Sequence, residues 1–113
     1  MTPMIHVVTG CLLDDDQQLL VVRKRDTEHF MLPGGQPLQG ETPISTLSRE
    51  WQEALGASLN DEALAMLGRF RARAAHENDM LVDADVFVVE GLAGHLQASG
   101  EIAEVRWLSL IHI

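Results

Sequence analysis

Glu50 and Glu53 lie three residues apart, with Arg49 just ahead of the first, in a stretch that reads as a loop followed by a helix. With residue 50 at the zero of a helical wheel and about 100° per residue, Glu53 falls at about −60°, Arg49 at about −100° and Ala54 at about +40°. Two carboxylates and a guanidinium then share one face. Carboxylate oxygens one helical turn apart are donors that a hard divalent cation accepts. The plainer alternative is a solvated face, which any amphipathic helix can show. Just upstream, Gly34 and Gly35 can bring backbone groups close to a ligand or ion.

That face requires a helix with defined ends. Residues 33–57 read PGGQPLQGETPISTLSREWQEALGA. Pro33-Gly34-Gly35 punctuates a turn. Thr42 is a candidate N-cap, and Pro43 fits the first helical position, where no N–H is needed. Gly56 suits the C′ position that ends a helix. Between these signals Ile44, Leu47, Trp51 and Leu55 recur at helical spacing. The pattern predicts a helix over 43–55, packed through those four residues with Trp51 buried.

Gly35, five residues, Glu41, seven residues and then REWQEALGA from Arg49 resemble the Nudix box, G-x5-E-x7-R-E-U-x-E-E-x-G-U, where U is a bulky apolar residue. The resemblance covers 23 of 113 residues and keeps Gly35, Glu41, Arg49, Glu50, Glu53 and Gly56. Trp51 and Ala57 are unusual choices at U. Ala54 stands where the family has the second Glu of its pair, usually a direct ligand of the catalytic cation. The resemblance implies an α/β/α sandwich with a mixed curved sheet. It implies metal-dependent hydrolysis of a nucleoside diphosphate linked to another group, with magnesium or manganese as cofactor. Glu50, Glu53 and the Gly35 carbonyl would then hold the ion. Arg49 would orient the glutamates, and Glu41 would fix the loop to the helix. Glu101, six residues before Trp107 in an acidic loop, matches a position that in some relatives adds a ligand or base. The catalytic base is expected to be Glu50 or Glu101. With Ala54 one anionic ligand fewer is available. This implies a slowed hydrolase or, as the alternative, a catalytically inactive fold kept for nucleotide binding or regulation.

Length and composition bound the remaining choices. A chain of 113 residues suggests one domain over 1–113. The formal net charge of −9 argues against a nucleic-acid polymer as partner but not against a small phosphorylated ligand. No apolar run approaches a membrane span, and MTPMIHVVTG lacks the plan of a signal peptide. Cys11 is alone, so no internal disulfide is expected, which suits the cytoplasm. The five histidines show no zinc-ligand spacing.

Along the chain, residues 4–13 read as a strand and residues 17–25 as its hairpin return, with Leu19–Val22 covered on both faces. That return ends in Arg23-Lys24-Arg25, either a solvated strand end or a set of phosphate contacts. Arg23 and Arg25 share one face and are the expected substrate contacts; Lys24 takes the other. Phe30 and Met31 are expected in the core. Residues 60–67 suggest a short helical turn, with Gly68 opening the next strand. Arg69, Arg71 and Arg73 alternate with apolar residues, and 80–90 reads as the partner strand. A turn at Asn78 would set Arg73 opposite Asp83 and Arg71 opposite Asp85, as ion pairs on a wet face. Residues 95–98 suggest an edge strand, and 105–110 a last strand. The family follows that strand with a second helix, for which Leu110–Ile113 leave no room. Uncovered apolar sheet is therefore expected, and with it a homodimer.

Overall fold

The computed structural model describes residues 4–73, 80–90 and 96–109. Its strands are β1 (Met4–Cys11), β2 (Gln18–Lys24), β3 (Phe30–Met31), β4 (Gly34–Gly35), β5 (Ala65–Arg73), β6 (Leu81–Val88) and β7 (Ile102–Ser109), and α1 spans Pro43–Leu55. They form a mixed four-stranded sheet, β4-β1-β6-β5, and a three-stranded antiparallel sheet, β3-β2-β7. β1 and β6 run parallel, whereas β4 and β5 run antiparallel to their neighbours. The α/β architecture is the expected one, with α1 the one α-helix among the described residues.

α1 begins and ends where its residues direct. The Thr42 hydroxyl accepts from Ser45 N–H at 3.1 Å, and Ser45 Oγ accepts from Thr42 N–H at 3.0 Å. Gly56 closes the helix with φ 65°, a left-handed geometry that costs a glycine little. Beyond it, the N–H groups of Gln97 and Ser99 donate to the carbonyls of Leu55 and Ala54, two groups a helix end leaves unpaired. The loop before β7 is thereby fastened to the end of α1.

The apolar face of α1 is buried as its periodicity requires. Leu47, Trp51 and Leu55 are fully buried, beside Val8, Leu20 and Val22. Trp51 lies against β1 at Gly10, where an added Cβ would come 2.7 Å from the indole. Its Nε1–H donates to the Pro33 carbonyl at 3.0 Å, so the indole also ties the loop ahead of β4 to the helix.

Several expected details differ. β1 and β2 are not a full hairpin. They touch through a Leu13–Leu19 bridge and then enter separate sheets. Apolar residues in both strands allowed either pairing. The residues after Asn60 form a single 3-10 turn, Asp61–Ala63, and β5 already starts at Ala65, with Gly68 at a bulge inside it. Residues 96–98 dock on α1 rather than forming an edge strand. The β5–β6 register is two residues from the expected one, pairing Arg69 with Asp85 and Arg71 with Asp83. A two-residue slip keeps every side chain on its face, so alternation cannot detect it. Nor is the face wet at Asp85, whose side chain is 1% exposed; Arg69 and His6 both bind its carboxylate. The expected turn at 77–79 and the chain end from Leu110 lie outside the described residues.

Candidate active site

Arg49 is the hub of the site. Its Nε donates to Glu41 Oε2 at 2.7 Å and its Nη2 to Glu41 Oε1 at 3.1 Å, a bidentate fork. Nη1 donates to Glu50 Oε1 at 2.9 Å and to Glu53 Oε2 at 3.2 Å. Nη2 also reaches the Gln36 carbonyl at 3.2 Å. One guanidinium therefore joins the glycine-rich loop, the loop before α1 and both carboxylates on the helix face.

Glu41 is fixed from three sides. Besides Arg49, Leu38 N–H donates to its Oε1 at 2.7 Å and the buried Thr46 hydroxyl at 3.1 Å. Arg49 first, and then the Leu38 amide, hold its carboxyl well below the usual range, at about 2. Bonds to Glu41 first, and then to Glu50, push the Arg49 guanidinium up, so it stays charged.

Arg49 and the two helix carboxylates border a cleft of about 650 Å³. Glu50, Glu53, Ala54 and Arg49 line it from α1, Gly34 and Gly35 from β4, and Glu101 from the loop before β7. A Cβ at Gly35 would lie 2.4 Å from Glu50 Cδ, so only glycine lets the carboxylate settle against the β4 backbone. Ala54 is half-buried, packed on the core at the cleft wall.

The basic residue of β2 that lines the cleft is Lys24; Arg23 and Arg25, the expected substrate contacts, do not line it. Arg23 is held by Glu104 at 3.2 Å and by the Thr27 carbonyl at 2.8 Å. Arg25 donates from Nε to the Gly100 carbonyl at 3.1 Å, and its N–H to the Glu101 carbonyl at 2.8 Å. Arg25 thus supports the loop carrying Glu101. Strand alternation put Lys24 on the face opposite its neighbours, but nothing in the sequence said which face meets the cleft.

A hard cation is matched in kind by the carboxylates of Glu50 and Glu53 with the Gly35 carbonyl. In number the set is short. Among the described residues no three His, Cys, Asp or Glu side chains gather as a metal site, and Glu101 does not close the set. A second cleft of about 450 Å³ adjoins the first, sharing Lys24, Met31, Gly34, Gly35 and Gln36 with it. Its walls are mainly aliphatic, from Ile5 and Val7 on β1 and Val82, Ala84 and Val86 on β6. Phe30 and Met31, expected in the core, line this cleft.

A NUDIX domain model matches residues 4–113. The chain belongs to the Nudix family. The computed fold resembles a MutT Nudix hydrolase from Burkholderia pseudomallei with TM-score 0.81 and 18% identity, over 96% of this chain and 84% of that one. It also resembles a MutT protein from Methanosarcina mazei Go1, with TM-score 0.79 and 21% identity over 98% and 80% of the two chains. A third likeness, at TM-score 0.67 and 21% identity, is to a bifunctional NMN adenylyltransferase/ADP ribose pyrophosphatase from Francisella tularensis complexed with AMP and a Mn ion. It covers 97% of this chain and 35% of that one. No functionally curated protein matches the sequence. The six Nudix-box residues lie on the loop and helix described above, with Gly35, Arg49, Glu50 and Glu53 at the cleft, Glu41 bonded to Arg49 behind it and Gly56 ending α1.

Proposed function

We propose that the protein is a divalent-metal-dependent Nudix pyrophosphohydrolase that acts on a small nucleotide, slowed by Ala54. The observation that carries this reading is the Arg49 hub, which sets Glu50 and Glu53 side by side in a cleft also lined by Lys24 and Glu101. Glu50, Glu53 and the Gly35 carbonyl would hold magnesium or manganese. When bound, such an ion offsets phosphate charge and acidifies the attacking water. Arg49 limits the repulsion between the two carboxylates and fixes their direction. Lys24 takes a phosphate oxygen at the junction of the two clefts, in place of Arg23 and Arg25. Glu50 or Glu101 accepts the proton of the attacking water, and the substrate's diphosphate link is cut into two phosphorylated halves. The adjoining aliphatic cleft gives the rest of the nucleotide a place to lie.

The second reading is a Nudix fold that binds nucleotide without hydrolysis. Ala54 favours it, because the donor set is short by one carboxylate at that position. A screen for nucleoside monophosphate product over a nucleotide panel with magnesium or manganese separates the two. Released product supports the first, and saturable binding without product the second.

The homodimer belongs to the proposal as well. Met66, Leu67 and Phe70 of β5 are 52, 59 and 52% exposed on a strand that, among the described residues, ends its sheet. Light scattering at micromolar concentration tests it, and a monomer would overturn it. The lone Cys11 supports a cytoplasmic setting. No helix of the described residues is long and apolar enough to cross a membrane.

A further inference from the structure

Alternation along β1 turns Ile5, Val7 and Thr9 toward the second cleft, and the parallel strand β6 adds Val82, Ala84 and Val86 beside them. Five of these six side chains are aliphatic. The exception is Thr9, whose hydroxyl oxygen is buried and has no hydrogen-bond partner. It is the one such atom among the described residues. Valine would occupy nearly the same volume without a hydroxyl. An unpaired buried hydroxyl destabilises a fold, so threonine here is unfavourable unless something bonds it. Thr9 itself is partly exposed where it lines the cleft, while its oxygen is turned inward. Rotation about χ1 to another staggered position brings the hydroxyl round to whatever fills the cleft.

The shape and lining of the cleft restrict what that is. A ligand whose diphosphate lies by Lys24 and the carboxylates extends its other end over the aliphatic floor. A flat ring matches this floor, and Phe30 and Met31 flank it. An alkyl end would leave the hydroxyl unpaired. A heteroaromatic ring carries the polar edge atom it lacks, and a hydroxyl can either donate or accept.

We propose that Thr9 is a specificity-determining residue, whose hydroxyl bonds a polar edge atom of a nucleobase and disfavours diphosphates with an aliphatic end. This rests on the reading of the carboxylate cleft as a diphosphate site. The test is calorimetric titration of the full chain with ADP, UDP, isopentyl diphosphate and inorganic pyrophosphate, in the parent, Thr9→Val and Thr9→Ser, with thermal melts of each. Thr9→Val should weaken the better-bound of ADP and UDP by about five- to tenfold, the loss of one hydrogen bond. It should leave pyrophosphate within about twofold and isopentyl diphosphate no weaker, and raise the Tm of the free protein by roughly 4–8 °C. Thr9→Ser should keep the nucleotide affinity. Unchanged nucleotide affinity in Thr9→Val overturns the proposal while the diphosphate reading stands. Equal weakening in Thr9→Val and Thr9→Ser overturns it too, since shape rather than the hydroxyl would then be recognised. A parent that binds neither pyrophosphate nor nucleotide overturns the diphosphate reading and the proposal with it.

Discussion

Ala54→Glu restores the carboxylate that the Nudix box places one residue after Glu53, and its effect can be worked from the site. Glu50 and Glu53 both accept from Arg49 Nη1, at 2.9 and 3.2 Å, so the accepting oxygens are at most about 6 Å apart. A third carboxylate within about 4 Å of a divalent cation gains about 8 kcal/mol at an effective dielectric of about 20. Repulsion from two carboxylates at about 6 Å takes back about 5–6 kcal/mol on the same scale. The net of about 2–3 kcal/mol is the stability that the magnesium-bound variant gains over the magnesium-bound parent. Because the repulsion is present with and without the ion, the magnesium affinity itself is also tighter. Without the ion only the repulsion remains, together with the cost of a charge at a half-buried position. The metal-free variant should therefore melt below the parent, and magnesium should reverse the order. The assay is a pair of magnesium titrations, one reading Tm and one reading hydrolysis. Magnesium dependence identical to the parent in both would refute the reasoning, because the cation would then be held away from position 54.

Gly35→Ala should leave the fold intact, since the atoms its Cβ meets, 2.4 Å away at nearest, belong to the free end of the Glu50 side chain. It should nonetheless lower hydrolysis by about tenfold or more by displacing that carboxylate, with an unchanged melt as the control. Glu41→Gln should melt below the parent at neutral pH. Contacts with Arg49 and Leu38 lower the Glu41 carboxyl from 4.5 to about 2, so its contribution is complete above 4.5 and disappears as pH falls toward 2. Melts between pH 7 and pH 2 should show the gap between parent and variant steady down to about pH 5 and closing below it.

The helix was legible because local rules and spacing agree there. Thr42, Pro43 and Gly56 are cap residues whose action is local, and Leu47, Trp51 and Leu55 mark a face whose burial needs no knowledge of the partner strands. Strand pairing was less legible. β1 and β2 are adjacent in sequence, yet their longest pairings, with β6 and β7, are to strands far along the chain. The β5–β6 register escaped because a slip of two preserves alternation, and the bulge at Met66/Gly68 leaves no mark beyond a glycine. Lys24 was missed for the same kind of reason, since alternation fixes relative faces but not which one meets a cleft. Thr46 and Thr9 could not be found from sequence. One is buried to hold Glu41 and the other lines an aliphatic floor, and both facts depend on contacts distant in the chain.

The most direct test of the account is product analysis of the parent and Glu50→Gln side by side, on a panel of nucleoside diphosphate derivatives with manganese present. Glu50 is held by Arg49, packed on Gly35 and lines the cleft, so glutamine keeps its shape and removes its charge. The account predicts slow formation of two phosphorylated products by the parent and none by Glu50→Gln, with both proteins folded. Equal product from the two would contradict it, because cleavage would then proceed without the carboxylate at the centre of the site.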